Sequence, residues 1–134
     1  MIAISLALGW CDAHAHAQGY PSKPIRVIVP FPPGGGTDAT ARILTQALAE
    51  TANWQLVIEN RPGVTGRIGT ELAARAPADG YTLLLGTAGP NAILPRTKVK
   101  LPYDAIKDFA PVTLIDSADY ALVVEYIGVD KPFD

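Results

Sequence analysis

The residues best suited to chemistry form a glycine-rich segment between a β-branched run and a stretch of helical spacing. Its members are Phe31, Pro32, Pro33, Gly34, Gly35, Gly36, Thr37 and Asp38. Consecutive glycines at such a junction can turn several backbone N–H groups toward one point at the positive end of a helix dipole. The segment therefore predicts an anion site, with a tight turn that binds nothing as the alternative. No lysine lies near Gly36, which excludes the GxxxxGK phosphate loop and favours a carboxylate, an anion that demands less charge.

A second group of small and polar residues follows the third predicted strand. It comprises Thr87, Ala88, Gly89 and Asn91. Loops that follow parallel strands gather at the carboxyl edge of a sheet. We therefore expect the segments Phe31–Asp38, Asn60–Gly66 and Thr87–Asn91 to converge and to line one cleft.

Side chains in these segments add polar groups to the predicted site. Thr37 and Thr65 supply hydroxyls, and Arg61 or Arg67 could neutralise a second carboxylate or lie solvated on the surface. Asp38 would repel an anion, so we interpret it first as a helix N-cap and second as a contact for a ligand ammonium or hydroxyl.

The first residues of the chain predict a secretory leader. Residues 1–17 open with an apolar segment, Met1–Trp10, and end in an Ala-x-Ala cleavage pattern, although no basic residue precedes Lys23. A buried N-terminal strand or helix is the alternative. Cleavage there would remove Cys11, His14 and His16, the only cysteine and the only histidines of the chain. The remainder would hold no thiol nucleophile, no imidazole base and no Cys or His metal ligand, so we expect no catalytic triad and no metal site.

Three apolar runs and two amphipathic stretches must position these residues. The predicted strands are Ile25–Val29, Gln55–Glu59 and Tyr81–Leu85, the last nearly all apolar, as in a strand covered on both faces. The first predicted helix opens at Thr37 or Asp38 and carries an apolar face of Ile43, Leu44, Ala47 and Leu48. The second carries Ile68, Leu72 and Ala76 on one face and ends at Pro77 and Asp79-Gly80.

This β-α-β-α-β order predicts an α/β fold, an open and mostly parallel sheet with helices on both faces. Phe109–Ile115 and Tyr120–Tyr126 are two further strand candidates. The 134 residues suit one domain or a piece of one. A net charge of −2 without a basic stripe argues against nucleic acid, and no apolar run approaches the length of about 20 residues that membrane insertion needs.

A dinucleotide-binding enzyme domain is the alternative function. Gly34-x-Gly36-x-x-Ala39 fits the dinucleotide fingerprint, and Glu59 ends the next strand where a ribose-binding acid would lie. The prolines that precede Gly34 argue against it, because the fingerprint places its first glycine directly after the strand.

Seven motifs in order resemble one family, the extracytoplasmic solute receptors of tripartite tricarboxylate transporters, often called Bug-type receptors. They are Tyr20-Pro-x-Lys-Pro-Ile-Arg26, Val29-Pro-Phe-Pro-Pro-Gly-Gly-Gly-Thr-Asp38, Glu59-Asn-Arg-Pro-Gly63, Ile68-Gly69, Asp79-Gly-Tyr-Thr-Leu83, Leu101-Pro-Tyr-Asp104 and Asp108-Phe-x-Pro-Val112. The resemblance runs from about residue 20 to Val124. Thr65 and the segment Ala92–Pro95 depart from the family pattern, which leaves the choice of ligand open.

The resemblance implies a periplasmic receptor that holds a small carboxylate solute between two α/β lobes and passes it to a membrane permease. It implies no catalysis and no cofactor. Backbone groups of Phe31–Thr37 would hold one ligand carboxylate, with Thr87–Asn91 on the neighbouring loop. We expect residues 18–124 to form the N-terminal lobe of a Venus-flytrap fold, left incomplete, and residues 125–134 to be a divergent tail from a truncation or frame-shift.

Overall fold

The computed structural model describes residues 19–117. The predicted leader, the strand candidate Tyr120–Tyr126 and the predicted tail lie outside the described residues. The elements in chain order are β1 (Ile25–Val29), α1 (Gly36–Ala52), β2 (Leu56–Asn60), α2 (Arg67–Ala74) and β3 (Thr82–Leu84), followed by a π-helical turn (Gly89–Ile93) and a 3-10 turn (Leu94–Arg96). None of the helices within 19–117 is both long and apolar enough to cross a membrane.

The three strands form one parallel sheet in the order β2-β1-β3. The chain therefore moves from β1 to one side, then crosses back over β1 to reach β3. Because parallel crossovers are right-handed, two crossovers in opposite directions place their helices on opposite faces of the sheet. The contacts agree, since α1 packs Ala41 against Val27 and Val29, whereas Gly69 of α2 lies over Pro30. The predicted open parallel sheet with helices on both faces is confirmed.

The hydrophobic core is centred on β1 and the α1 face of the sheet. Ile25, Ile28 and Val29 have no exposed surface, because β1 is the central strand and its β-branched side chains meet a neighbour on each side. The prediction that the third strand is covered on both faces is wrong. Residues of β3 are only half-buried, because β3 is an edge strand within the described residues.

Helix α1 begins earlier than predicted and buries a narrower face. Its N-cap is Gly35 and its first residue is Gly36, so neither Thr37 nor Asp38 is the N-cap. Its buried residues are Asp38 and Ala41, one turn apart, whereas Ile43 is 71% exposed. The small side chain of Ala41 lets the helix approach the sheet closely, and this turns Ile43 toward solvent.

Helix α2 presents the opposite face from the one that its apolar spacing predicts. Gly69 and Thr70 are buried, whereas Ile68 and Leu72 are 47% and 37% exposed. A Cβ atom at Gly69 would lie 2.8 Å from the Cα of Pro30 and 2.8 Å from the carbonyl oxygen of Arg61. The backbone of α2 therefore lies so close to the backbone at Pro30 and Arg61 that only small side chains fit on the inward face of this helix. The helix also ends earlier than predicted, at Ala74.

The strand predicted over Phe109–Ile115 is absent from the described structure. This segment has no regular secondary structure, and Val112 and Leu114 are each 82% exposed. Tyr103 anchors the preceding chain, because its hydroxyl donates to the carbonyl of Pro90 at 2.8 Å and its ring meets that of Phe109 edge-to-face. Apolar alternation alone does not form a strand where no neighbouring backbone pairs with it.

An aromatic cluster covers the end of the sheet at which the three strands begin, which we call the amino edge. The ring of Tyr20 packs edge-to-face on Trp54, with centroids 5.8 Å apart, and lies 5.2 Å from the ring of Tyr81. The Tyr20 hydroxyl donates to the carbonyl of Gly80 at 2.7 Å, and Lys23 pairs with Asp79 at 3.3 Å. These contacts tie the chain before β1 to the turn before β3.

Candidate ligand-binding site

The glycine-rich segment forms the turn from β1 into α1. Gly34 has φ +84°, a left-handed conformation that favours glycine, and Gly35 is an extended N-cap without a side-chain capping bond. The first backbone bond of the helix runs from the N–H of Ala39 to the carbonyl of Gly35 at 2.9 Å. The N–H groups of Gly36, Thr37 and Asp38 consequently find no acceptor among residues 19–117.

Asp38 occupies the first turn of α1 and points inward rather than capping the helix. Only 2% of its surface is exposed. Its carboxylate accepts bonds from Arg42 Nε at 2.8 Å, from the N–H of Gly34 at 2.9 Å and from Asn60 Nδ2 at 2.9 Å. The Arg42 guanidinium, together with the Gly34 and Asn60 donors, holds the pKa of Asp38 well below its usual range. The N-cap interpretation of Asp38 is wrong because Gly35, three residues earlier, already has the extended conformation of a cap.

The three loops after β1, β2 and β3 converge, as predicted from their place after parallel strands. A Cβ at Gly66 would lie 3.3 Å from the ring of Phe31 and 3.3 Å from Pro90. A Cβ at Gly89 would lie 3.6 Å from Thr65. In the order β2-β1-β3 this meeting point is the topological switch point, where ligands of open α/β sheets bind.

The segment Thr87–Asn91 is more ordered than the predicted loop. The carbonyl of Thr87 accepts from the backbone N–H of Asn91 at 3.3 Å and from its side-chain Nδ2 at 3.0 Å, and Gly89 opens a π-helical turn. Ala88 precedes that turn with helical dihedral angles. The Thr87 Oγ1 atom is buried and has no hydrogen-bond partner within residues 19–117. A buried hydroxyl without a partner is costly and therefore marks a place where another molecule can supply one.

The two arginines proposed for a second carboxylate differ in their surroundings. Arg61 donates through Nε to Glu59 at 2.7 Å, and Arg26 donates to the same carboxylate at 2.6 Å, which lowers the pKa of Glu59. Arg67 has a buried Nε atom without a partner among residues 19–117, and it lines a surface hollow of about 320 Å³ with Glu71 and other residues. Arg61 is therefore already paired with a carboxylate, whereas the Arg67 Nε atom has no partner in the part of the chain that the structure describes.

The dinucleotide alternative finds no support in this geometry. Four residues separate the end of β1 at Val29 from Gly34, so the first glycine does not follow the strand directly. Glu59 accepts bonds from Arg26 and Arg61 and lacks the free oxygens that a ribose would need. Within residues 19–117, no group of three His, Cys, Asp or Glu side chains could hold a metal ion.

Comparison with known proteins gives a consistent picture. The sequence model of the tripartite tricarboxylate transporter family receptor, TctC, matches residues 40–132. Protein BugT of Bordetella pertussis is 40% identical over 124 residues, which are 92% of this chain and 38% of that protein. A protein from the tcbD-tcbE intergenic region of Pseudomonas sp. strain P51 is 39% identical over 92% of this chain and 37% of its own length.

Solved structures share the fold. A periplasmic transporter is 54% identical with a TM-score of 0.67, and the match covers 71% of this chain and 32% of that one. MatC from Rhodopseudomonas palustris with bound malate is 38% identical with a TM-score of 0.67, over 72% of this chain and 33% of that one. Rpa4515 from the same organism, solved with adipate, is 37% identical with a TM-score of 0.61, over 65% of this chain and 29% of that one.

The chain spans somewhat more than a third of the length of these curated relatives. The shared region holds the glycine loop, the switch point and the parallel sheet described above. The family match covers well over half of the chain, and the family that it describes is one of transporter receptors. This chain belongs to the receptor family of the tripartite tricarboxylate transporters.

Proposed function

We propose that this chain is the first lobe of a periplasmic receptor that captures a small carboxylate solute for a tripartite tricarboxylate-type transporter. The observation that carries the proposal is the row of α1 N–H groups at the switch point of the sheet, which have no acceptor in the described part of the chain. A helix N-terminus with free N–H groups attracts an anion through both hydrogen bonds and the helix dipole. The structures solved with malate and adipate belong to similar proteins and support a carboxylate.

The ligand carboxylate would lie against the N–H groups of Gly36 and Thr37, with the rest of the segment Phe31–Asp38 shaping the approach. The buried hydroxyl of Thr87 would supply a further bond from the loop after β3, beside Ala88, Gly89 and Asn91. Such a site selects a carboxylate without an opposing arginine, because backbone donors fixed in place replace the hydration of the anion.

The remaining parts of the proposal follow from the family. A second lobe would close over the solute and shift an open–closed equilibrium, and the closed receptor would deliver the solute to the membrane permease. The predicted leader over residues 1–17 would export the chain to the periplasm. Residues 18–124 would form the first lobe, and residues 125–134 would be a tail that departs from the family pattern.

Gly36→Val and Arg61→Ala provide the test. A Cβ at Gly36 meets no protein atom within 4 Å, so the fold accepts a side chain there. We expect a branched side chain at this position to obstruct the approach of a ligand to the neighbouring N–H groups. We expect Gly36→Val to weaken malate or adipate binding by about tenfold or more, equivalent to about 1.4 kcal/mol. We expect Arg61→Ala to change binding by less than about threefold, because water can replace an exposed arginine that already has a partner.

The measurement is a titration of the 134-residue chain with malate and with adipate, followed by the amide signals of Gly36 and Thr37 in NMR spectra. A thermal melt of each variant controls for folding. If Arg61→Ala abolishes binding while Gly36→Val leaves it intact, recognition rests on a side-chain ion pair and the backbone site is wrong.

A further inference from the structure

We propose that Asp38 and Asn60 are positioning residues, which together hold the glycine loop in the conformation that leaves the α1 N–H groups free for a carboxylate. The inference rests on the proposed function, since it explains how that site is kept in shape. Neither residue needs to touch the solute. Both act through the backbone of Phe31 and Gly34.

Asn60 connects the end of β2 to both ends of the loop. Its Nδ2 group donates to the carbonyl of Phe31 at 3.1 Å and to Asp38 Oδ1 at 2.9 Å. An amide nitrogen has two hydrogens, so these bonds use its full donor capacity. One side chain thereby fixes the first residue of the loop and the first turn of the helix relative to the sheet.

Asp38 fixes a second point within the loop, at Gly34. Its Oδ2 atom accepts from the N–H of Gly34 at 2.9 Å and from Arg42 Nε at 2.8 Å, while Oδ1 accepts from Arg42 Nη2 at 3.2 Å as well as from Asn60. The carboxylate is thus bonded at both oxygens and faces a guanidinium. It has no free capacity for a ligand ammonium or hydroxyl, and its charge is balanced before an anion arrives.

The Asp38 bond also decides which N–H groups remain available. Gly34 is the left-handed residue of the loop, with φ +84°, and its N–H is consumed by Asp38. The N–H groups of Gly36 and Thr37, two and three residues further along the chain, stay without an acceptor in the described part of the chain. Pro32 and Pro33 lie between the two fixed residues, Phe31 and Gly34, and remain exposed. Their restricted backbone angles stiffen this part of the loop without further contacts.

This arrangement separates positioning from simple stabilisation. If the network only held the fold together, its loss would lower the melting temperature and reduce malate binding in proportion to the unfolded fraction. If it positions the loop, a folded variant that lacks one of its bonds would lose the protected amide of Gly34 and would bind malate more weakly. Amide exchange at Gly34 therefore distinguishes the two roles.

The experiment compares Asp38→Asn and Asn60→Ala with a matched control, Asp79→Asn, in the 134-residue chain. Asp79 also accepts a backbone N–H, from Tyr81 at 3.0 Å, and also pairs with a basic side chain, but it lies at the amino edge of the sheet. Asn60→Ala leaves the Asp38–Arg42 pair intact, so it remains informative if Asp38→Asn fails to fold. The readouts are melting temperature, hydrogen exchange at Gly34, and the dissociation constants of malate and adipate from NMR titration.

We expect exchange at Gly34 to accelerate about tenfold or more in Asn60→Ala and in folded Asp38→Asn, and not in Asp79→Asn. We expect the malate dissociation constant to rise about tenfold in the first two variants and less than about twofold in the control. Unchanged Gly34 exchange in a folded Asn60→Ala variant would overturn the positioning role. If neither malate nor adipate shifts the amides of Gly36 and Thr37 in the unmodified chain, the carboxylate site fails, while Gly34 exchange still decides whether Asp38 and Asn60 hold the loop.

Discussion

The two ends of the sheet, its amino edge and its carboxyl edge, differ in whether their polar groups are paired. At the amino edge, aromatic rings cover the strand ends, and hydroxyl groups pair with backbone, as Tyr20 does with Gly80 and Tyr81 with the N–H of Ser22 at 2.9 Å. At the carboxyl edge, the α1 N–H groups and the Thr87 hydroxyl have no partner among the described residues. One edge is completed by the chain itself, and the other, where we propose that the solute binds, keeps polar groups that the described residues do not pair.

An aspartate bonded to backbone stands at each edge, and the difference between the two is instructive. The side chain of Asp79 is 43% exposed and that of its partner Lys23 is 57% exposed. The side chain of Asp38 is 3% exposed and is also bonded to Asn60. The pKa of each carboxyl is lowered, chiefly by Arg42 for Asp38 and by the Tyr81 N–H for Asp79. Burial turns the same local bond from a surface contact into a support for the loop.

The largest expected effect is at the carboxyl edge, from Gly69→Val. The new Cβ would meet backbone atoms of Pro30 and Arg61 at 2.8 Å, and backbone cannot move aside as a side chain can. We expect a loss of about 3 kcal/mol or more in the free energy of unfolding, measured by urea denaturation. Gly36→Ala is the matched control, because its Cβ has open space and should leave stability nearly unchanged. Tolerance of Gly69→Val would mean that α2 does not approach β1 so closely.

An intermediate effect is expected from acid. The folded pKa of Asp38 lies below that of the unfolded chain, about 3.9. Its charged form therefore stabilises the fold above about pH 4, and this contribution is lost as the pH falls below that value toward the folded pKa. The urea midpoint should fall from pH 6 to pH 3, and this fall should be smaller in Asp38→Asn than in the unmodified chain. In Asp79→Asn the fall should be closer to that of the unmodified chain. An equal fall of the urea midpoint in the two variants would show that Asp38 and Asp79 contribute equally to stability, which would contradict the difference between the edges.

The smallest effect is expected from Tyr20→Phe at the amino edge. This change removes only the hydroxyl that donates to Gly80, in an exposed setting, and keeps the ring against Trp54. We expect a loss of about 0.5–1 kcal/mol in the free energy of unfolding. Malate titration should give an unchanged dissociation constant, because the site lies at the other end of the strands. A change in binding would show that the two edges are coupled.

Much of the fold could be predicted from local sequence. The run Ile25–Val29 is the first strand with the predicted bounds, because five β-branched or long side chains in a row leave little choice of conformation. The second and third strands were displaced or shortened by only one residue at each end. The convergence of the loops also followed, since it depends on strand order and direction alone.

The rest depended on contacts between distant residues. Helical spacing predicted Ile68 and Leu72 inward, but the approach of α2 to Pro30 admits only a glycine and a small side chain there. Asn60 was predicted only as the first residue of the loop after the second strand, with no role of its own, because a single asparagine at a strand end carries no pattern. Its partners, Phe31 and Asp38, lie 29 and 22 residues away in the chain.

The inward face of α2 restricts which amino-acid substitutions this helix can accept. Thr70 has no exposed surface, and its hydroxyl donates to the carbonyl of Gly66 within the same helical turn. The two buried residues of this face, Gly69 and Thr70, are not large apolar residues, and the space around them limits side-chain volume. We therefore expect substitutions on the inner side of α2 to be limited by side-chain volume, and substitutions on its outer side to be tolerated whether they are polar or apolar. In the usual amphipathic helix, by contrast, hydrophobicity limits the inner side.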